Sequence, residues 1–278
     1  MLPEFASVIP ESKENALAYL SSLENAKIFA GGTDLLVKMR RGESCRHIVD
    51  ITKIHDMKDV SEHDGLITIG AVSTHNEISV NSLINAQAPS LTRACGLVGS
   101  PAIRNMGTIG GNLVNASPAA DSLAPLLIHD TMVVLESKNG VRKMKLEDFI
   151  LAPYKTAIQP YELLTFIEIK GLPGYREGYK RVTKRATWAI SRLSIAWAIQ
   201  EKDGLYKDIK LAIGSCTPMP FRPRRIEESL KGLAKNEETI QAAVEEIIYE
   251  IKRISGIRPS FAYKIPVVKA LLEEVLKG

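Results

Sequence analysis

The sequence predicts an α+β fold, with two N-terminal α/β lobes followed by a C-terminal α+β lobe. Strand-length apolar runs alternate with helical patterns in the first part of the chain, and the last part places its strands before its helices. The run at residues 171–178 has the Gly and Pro content of a linker. We therefore expect lobes at residues 1–55, 56–172 and 173–278.

The first lobe contains a strand–turn–helix unit around a glycine pair. Residues 27–30 are a strand candidate and residues 35–40 have helical periodicity. The glycines at 31–32 make the turn, and Thr33 or Asp34 can cap the helix. This order leaves backbone N–H groups free at the helix start, where the helix dipole also favours an anion.

The second lobe shows a clear hairpin signal. Asn-Gly at 139–140 separates two strand candidates at 131–136 and 141–145, which predicts a tight β-turn between them. Residues 164–169 alternate as a further strand. The apolar run at 122–128 predicts a buried helix.

The third lobe begins with strand signals and ends with helices. Residues 191–200 form a buried strand or helix, and residues 205–213 form a strand. Trp188 and Trp197 are expected in the core. Helical patterns follow at 226–230, 238–251 and 263–276.

Composition argues for an ordinary globular protein. The chain has 278 residues, of which 45% are hydrophobic, and its 36 basic and 32 acidic residues leave a net charge of only +4. This balance argues against a nucleic-acid partner. No apolar run is long enough for a membrane span, and the N-terminus lacks a signal-peptide pattern, so we expect a cytoplasmic protein.

Metal and nucleophile motifs are absent from the sequence. The cysteines Cys45, Cys95 and Cys216 are scattered without C-x-x-C spacing, so we expect no zinc or iron–sulfur site in this chain. The five histidines show no cluster and are expected at the surface or at helix caps. There is no G-x-S-x-G or H-E-x-x-H, so we predict no catalytic residue, which suits a protein whose reactive group is a bound cofactor.

Two polar, glycine-rich stretches carry the functional signal. They read A-G-G-T-D-L at residues 30–35 and G-T-I-G-G-N-L-V-N-A-S-P-A-A-D at residues 107–121. Glycine lets the backbone approach a ligand closely, and N–H and hydroxyl groups suit a phosphate ester. Neither G-x-G-x-x-G nor a P-loop motif is present. We infer a ligand with two phosphates held between two lobes.

Both stretches resemble the two FAD-binding signatures of the molybdenum hydroxylase family. Their order and spacing, and weaker matches to the C-terminus, make the chain similar to the flavin-binding medium subunit of carbon monoxide dehydrogenase, xanthine dehydrogenase and archaeal aldehyde oxidoreductases. The resemblance implies FAD-binding lobes of the PCMH/vanillyl-alcohol-oxidase-like type. One branch of the family carries an inserted cluster-binding loop in this subunit, for which this sequence has no cysteines.

The resemblance also implies FAD contacts. Backbone N–H groups in the two glycine stretches would hold the pyrophosphate, with hydroxyls and amides adding bonds to phosphate or ribityl oxygens. Asp121 would bond a hydroxyl-rich part of FAD, Leu163 or Leu164 would pack against the flavin ring, and Lys180 would lie near its pyrimidine edge. The predicted cofactor-binding set is Lys27, Ala30, Gly31, Gly32, Thr33, Asp34, Leu35, Thr108, Gly110, Gly111, Asn112, Asn115, Asp121, Leu164 and Lys180.

Structural roles for several of these residues stay open. Asp121 can be the N-cap of the following helix, Asn115 a turn residue and Lys180 a solvated strand lysine. The chain also departs from the family where an acidic residue often precedes an alanine, because it has the sequence Thr-Trp-Ala at 187–189.

The resemblance implies an FAD-binding electron-transfer subunit of a heterotrimeric molybdenum hydroxylase. Its partners would be a large molybdopterin-binding subunit, a small 2Fe–2S subunit and a soluble electron acceptor. Two alternatives remain: a stand-alone flavin-dependent oxidase or reductase on a related fold, and a non-catalytic scaffold subunit. The sequence identifies neither the substrate of the complex nor the acceptor nor the copy number of the assembly.

Overall fold

A computed structural model of the chain describes residues 2–185 and 190–278. The chain divides into two compact units, each assembled from several segments. The first unit comprises Met1–Val80, Ser100–Ser117 and Asp130–Lys170; the second comprises Asn81–Gly99, Pro118–His129 and Gly171–Gly278. No helix within the described ranges combines the length and apolar character needed to cross a membrane.

The first unit contains a small parallel sheet. Its strands are β1 (Ala6–Val8), β2 (Ala26–Phe29) and β3 (His47–Asp50), in the order β1-β3-β2. Both pairings are parallel, so helical connections are needed, and α1 (Lys13–Ser22) and α2 (Leu35–Arg40) provide them. This arrangement places the first glycine stretch where β2 passes into α2.

The first unit also contains a five-stranded antiparallel sheet. Its strands are β4 (Val60–His63), β5 (Leu66–Gly70), β6 (Met132–Ser137), β7 (Gly140–Lys145) and β10 (Leu163–Lys170). Their order is β4-β5-β10-β6-β7, and every pairing is antiparallel.

Short elements complete the first unit. A two-stranded ribbon pairs β8 (Ile150–Ala152) with β9 (Lys155–Thr156). The helices are a 3-10 turn at His55–Lys58, α3 (His75–Val80), α6 (Pro101–Met106), α7 (Ile109–Asn115) and α9 (Leu146–Phe149).

The second unit packs helices against an antiparallel three-stranded sheet, whose strands lie in chain order. Its core joins the aliphatic side chains of the sheet to those of the C-terminal helices, for example Ile195, Leu211 and Ile247, each fully buried. The elements are α4 (Ser82–Gln87), α5 (Pro89–Leu97), α8 (Leu123–Ile128), β11 (Arg176–Thr183), β12 (Ser191–Lys202), β13 (Leu205–Gly214), α10 (Arg224–Leu230), α11 (Glu237–Ser255) and α12 (Phe261–Lys277).

Several local expectations are confirmed and others are corrected. The hairpin β6–β7 turns at Asn139-Gly140 as predicted, and residues 191–200 form a strand rather than a helix. Strand β11 begins at Arg176, inside the predicted linker. Trp197 is half-buried and packs against the core of the second unit, whereas Trp188 and its neighbours at 186–189 lie outside the described residues.

Candidate cofactor site

The two glycine stretches touch each other within the first unit. An ideal Cβ on Gly31 would lie 1.8 Å from the carbonyl oxygen of Met106 and 3.0 Å from the Cα of Gly107. Any side chain at position 31 would therefore push the two loops apart. Gly31 suggested phosphate contact in the sequence. The structure shows that it also allows direct backbone contact between two loops that are far apart in the chain.

The first loop presents backbone donors. Gly32 has a φ of +68°, a conformation that glycine adopts without strain, and it turns the chain from β2 into α2. Within the described part of the chain, the N–H groups of residues 31–35 donate no hydrogen bond to other protein groups, and the first helical donor is Leu36, which bonds Gly32 O at 3.1 Å. Asp34 occupies the N-cap position, but its side chain makes no capping bond. A cluster of free N–H groups is suited to an anion.

The second glycine stretch is held from below by residues 71–75. Ile109 N donates to Ser73 O at 3.0 Å, and Gly110 N donates to Ala71 O at 2.8 Å. An ideal Cβ on Gly110 would lie only 2.7 Å from both the Cβ and the carbonyl oxygen of Ala71. Gly110 is therefore required by internal packing, whatever its relation to a ligand.

Most donors of the second stretch are used inside the protein. Residues 109–115 form helix α7, and Thr108 is its N-cap. The Thr108 hydroxyl accepts from Gly111 N at 3.1 Å, and Thr108 O accepts from Asn112 N at 3.0 Å. The free backbone donors for a phosphate are therefore those of residues 31–35.

Gly111 differs from the other glycines of the site because it is exposed. The nearest atom to an ideal Cβ on Gly111 is the Thr108 hydroxyl oxygen at 3.0 Å, and among the described residues no other atom beyond the adjacent helix backbone lies within 4 Å. Packing inside the chain does not account for a glycine here. Because Gly111 has no side chain and lies beside the loop of free N–H groups, a phosphate could approach the backbone closely there.

His75 lies buried beneath the second stretch. Its backbone N–H donates to Gly107 O at 3.0 Å, and its imidazole Nδ1 has no hydrogen-bond partner among the described residues. Burial, together with the charge of Arg104, lowers the pKa of His75 to about 4. The imidazole is therefore neutral at pH 7, and the expectation of a surface or capping histidine is wrong here, as it is for the buried His129.

Lys38 and Asn115 join the helix that follows the first glycine stretch to the helix that the second stretch forms. Lys38 Nζ, on α2, donates to Asn115 Oδ1, at the end of α7, at 2.7 Å. The same ammonium lies 5.8 Å from the centre of the Tyr154 ring. Sequence reasoning missed Lys38, because nothing in the local pattern of α2 distinguishes it from a solvated helix lysine.

Asp121 lies in the second unit and accepts three side-chain hydrogen bonds. Its Oδ1 accepts from the hydroxyls of Tyr179 at 2.6 Å and Ser191 at 2.5 Å, and its Oδ2 accepts from Arg181 Nη1 at 2.7 Å. Burial raises the pKa of Asp121, while the bonds from Ser191 and Tyr179 and the charge of Arg181 oppose the rise. Burial and the Asp121 carboxylate also raise the pKa of Tyr179 well above its usual value. The N-cap of α8 is Ser122, so Asp121 is not the helix cap.

The remaining predicted residues have ordinary protein partners. Lys27 pairs with Glu43 at 3.0 Å in the first unit. Lys180 pairs with Glu274 in the second unit. Leu163 and Leu164 are both buried in β10. Their contacts with a cofactor stay predictions.

Two known protein families match consecutive parts of the chain. Residues 3–169 match the family described as the FAD binding domain in molybdopterin dehydrogenase, and residues 178–278 match the CO dehydrogenase flavoprotein C-terminal domain. The chain belongs to the family of FAD-binding medium chains of molybdenum hydroxylases. The predicted family, fold class and FAD cofactor are thereby confirmed.

Medium chains of known enzymes align over almost their whole length. The glyceraldehyde dehydrogenase medium chain of Sulfolobus acidocaldarius is 33% identical over 99% of this chain and 98% of its own. The carbon monoxide dehydrogenase medium chain of Hydrogenophaga pseudoflava is 28% identical over 99% and 97%. A solved carbon monoxide dehydrogenase from the same organism superposes with a TM-score of 0.89 at 27% identity, covering 100% of this chain and 96% of that one.

Proposed function

We propose that this medium chain carries electrons through FAD in a heterotrimeric molybdenum hydroxylase. Its partners are a large molybdopterin-binding subunit, where substrate is oxidised, and a small 2Fe–2S subunit, which delivers the electrons. An external soluble acceptor then removes them from FAD. The relatives' names as medium chains and FAD-binding subunits of such dehydrogenases support this assignment.

The contact between the two glycine stretches is the observation that carries the proposal. It brings the free N–H groups of residues 31–35 next to the second stretch, whose surface is open at Gly111. In this proposal, the first loop binds the phosphates of FAD, the hydroxyls of Thr33 and Thr108 and the amides of Asn112 and Asn115 add hydrogen bonds, and Gly111 gives the phosphates room. The bound flavin supplies the redox chemistry, so the chain contributes binding and orientation.

The cysteines agree with iron–sulfur clusters on a separate chain. The ligand of iron is the thiolate, and burial opposes its formation. Burial raises the pKa of Cys216 to about 11 and that of Cys95 still further. Three cysteines also fall short of the four thiolates that a 2Fe–2S cluster usually takes.

The first test asks whether the isolated chain holds FAD. Flavin absorption at ~450 nm, with FAD rather than FMN released on heating, is the expected result. The second test mixes the flavin-loaded chain with the small iron–sulfur chain of the same organism, reduced in advance, in a stopped-flow instrument. We expect the flavin absorption to bleach at a rate that rises with the concentration of the reduced partner. A loaded chain that forms no complex and shows no bleaching would refute the electron-transfer role.

The alternative functions have distinct outcomes in the same experiments. A stand-alone oxidase or reductase would reduce its FAD with NADH or NADPH in the absence of any partner chain. A scaffold subunit would take up no FAD at all. The free donors of residues 31–35 and the open surface at Gly111 favour the FAD-binding alternatives.

A further inference from the structure

We infer that Lys38 is a positioning residue that fixes the side-chain amide of Asn115, so that the Asn115 NH2 group is held facing away from Lys38 and donates to FAD. The inference rests on the proposed function, because it takes Asn115 to be an FAD contact. It adds a residue outside both glycine stretches to the site and identifies the NH2 group as the part of Asn115 that binds FAD.

The orientation of Asn115 follows from the chemistry of its partner. A lysine ammonium has three donors and no acceptor. The 2.7 Å contact between Lys38 Nζ and the Asn115 amide is therefore possible only through the amide oxygen. The Asn115 NH2 group must then face away from Lys38. This conclusion does not depend on distinguishing nitrogen from oxygen in the amide by other means.

A second contact holds the Lys38 ammonium in place. The ammonium lies 5.8 Å from the centre of the Tyr154 ring, within the range of a cation–π interaction. Tyr154 itself is tied to the end of α7, because its N–H donates to Ala116 O at 2.9 Å. Ala116 ends α7 with a φ of +46°. Lys38 is thus bound to two groups at the end of α7, and its charge also suits the negative end of that helix.

The consequence is a fixed direction for the two donors of Asn115. With its oxygen turned toward Lys38, the amide directs its NH2 group away from Lys38, where it can donate to a phosphate oxygen or to a lone pair of a ribityl hydroxyl. Lys38 also bridges α2, which follows the first glycine stretch, and α7, which the second stretch forms. Loss of Lys38 would let the amide rotate and present either end to the ligand.

A double-mutant cycle on the full chain tests this role. FAD affinity is measured by fluorescence titration for the wild type, Lys38→Met, Asn115→Ala and the double variant. We expect each single change to weaken FAD binding roughly 3- to 10-fold, the scale of one hydrogen bond. In the Asn115→Ala background, Lys38→Met should change the affinity by less than about 1.5-fold, because Lys38 acts through Asn115. An equal loss in both backgrounds would overturn the inference and indicate a direct or purely structural effect.

Two further variants separate positioning from stability. Asn115→Asp keeps an acceptor for Lys38 but removes the donors, so we expect FAD affinity to fall as in Asn115→Ala while the apo chain keeps its melting temperature. Lys38→Arg retains a donor and should restore most of the affinity lost in Lys38→Met. If Asn115→Asp binds FAD as tightly as the wild type, the donor role is wrong.

A matched control variant and the wild type show whether a negative result refutes the proposed function or only the role of Lys38. Lys143→Met removes a half-exposed, ion-paired lysine from β7 in the same unit, and it should leave FAD affinity unchanged. A wild-type chain that takes up no FAD would refute the proposed function and this inference together. A wild-type chain that binds FAD, with a Lys38→Met effect that persists without Asn115, would refute the inference alone.

Discussion

Gly31 and Met106 are in backbone contact, so close that an ideal Cβ on Gly31 would lie 1.8 Å from Met106 O. This contact sets the spacing of the two loops on which the proposed FAD site depends. It means that glycine at position 31 is required even before a ligand binds.

Gly31→Ala should therefore damage both stability and binding. The added methyl must displace backbone rather than a flexible side chain, so we expect the free energy of unfolding to fall by about 1–3 kcal/mol. FAD affinity should fall as well, because the two loops separate. Urea unfolding of the apo chain and fluorescence titration with FAD measure the two effects. An alanine variant with wild-type values in both assays would contradict the loop contact.

Gly111→Val should damage binding while sparing the fold. Gly111 is exposed, and the atom nearest to an added Cβ is the Thr108 hydroxyl oxygen, so we expect the stability to change by less than about 1 kcal/mol. The branched side chain would occupy the surface that phosphate is proposed to approach, and FAD affinity should fall roughly 10-fold or more, equivalent to about 1.4 kcal/mol. Normal flavin content in this variant would count against the site.

A control at a comparable helical position supports that comparison. Ala242 is exposed in α11 of the second unit, and Ala242→Val adds the same branched side chain there. It should leave FAD affinity unchanged. If both variants lost FAD, the loss in Gly111→Val could not be attributed to contact between position 111 and the phosphates.

The first glycine stretch was predictable because its signals are local. The predicted strand at 27–30 overlaps β2 and the predicted helix at 35–40 coincides with α2, with the glycine turn between them. Helix α7 was not predicted, because adjacent glycines are poor helix formers. It forms because Thr108 caps it and because carbonyl groups of residues 71–75 accept hydrogen bonds from its first N–H groups. Those carbonyl groups belong to a distant segment, so the local sequence does not predict the bonds.

Exposed strands and pairs of residues distant in the chain could not be predicted from the sequence. Strand β4 is largely exposed at the sheet edge and lacks an apolar alternation. Two side-chain pairs, Lys38–Asn115 and Arg181–Asp121, join residues that are distant in the chain, so no local sequence pattern predicts them. The two loops of the proposed site could nevertheless be located from the sequence, because positions where backbone approaches backbone closely require glycine.

Asp121→Ala should destabilise the second unit strongly. The change removes the acceptor of three hydrogen bonds and leaves Arg181, whose side chain is 8% exposed, without its carboxylate. Breaking a buried pair from one side costs about 3–5 kcal/mol. The free energy of unfolding in urea measures the loss. The double variant Asp121→Ala/Arg181→Met should recover part of it, because no unpaired charge remains, and a double variant less stable than Asp121→Ala would argue against the ion pair as the cause.

His75 should make the first unit less stable in acid. Its pKa is lowered from 6.5 to about 4 in the folded chain, mainly by burial and further by Arg104. Between these values the unfolded chain binds a proton that the folded chain does not, so the free energy of unfolding falls as the pH falls from 6.5 to 4. A shift of this size corresponds to about 3 kcal/mol over the window.

The difference between the wild type and His75→Gln isolates this contribution from other titrating groups. Urea unfolding at several pH values should show the wild type losing stability relative to His75→Gln as the pH decreases from 6.5 to 4, with little further change below 4, where both states of the wild type are protonated. FAD affinity of the folded wild type should stay constant through most of this window, because the folded His75 remains neutral until the pH approaches 4. A difference curve that is flat from pH 7 to 4 would mean that the buried imidazole takes up its proton without penalty, contrary to its unpartnered Nδ1.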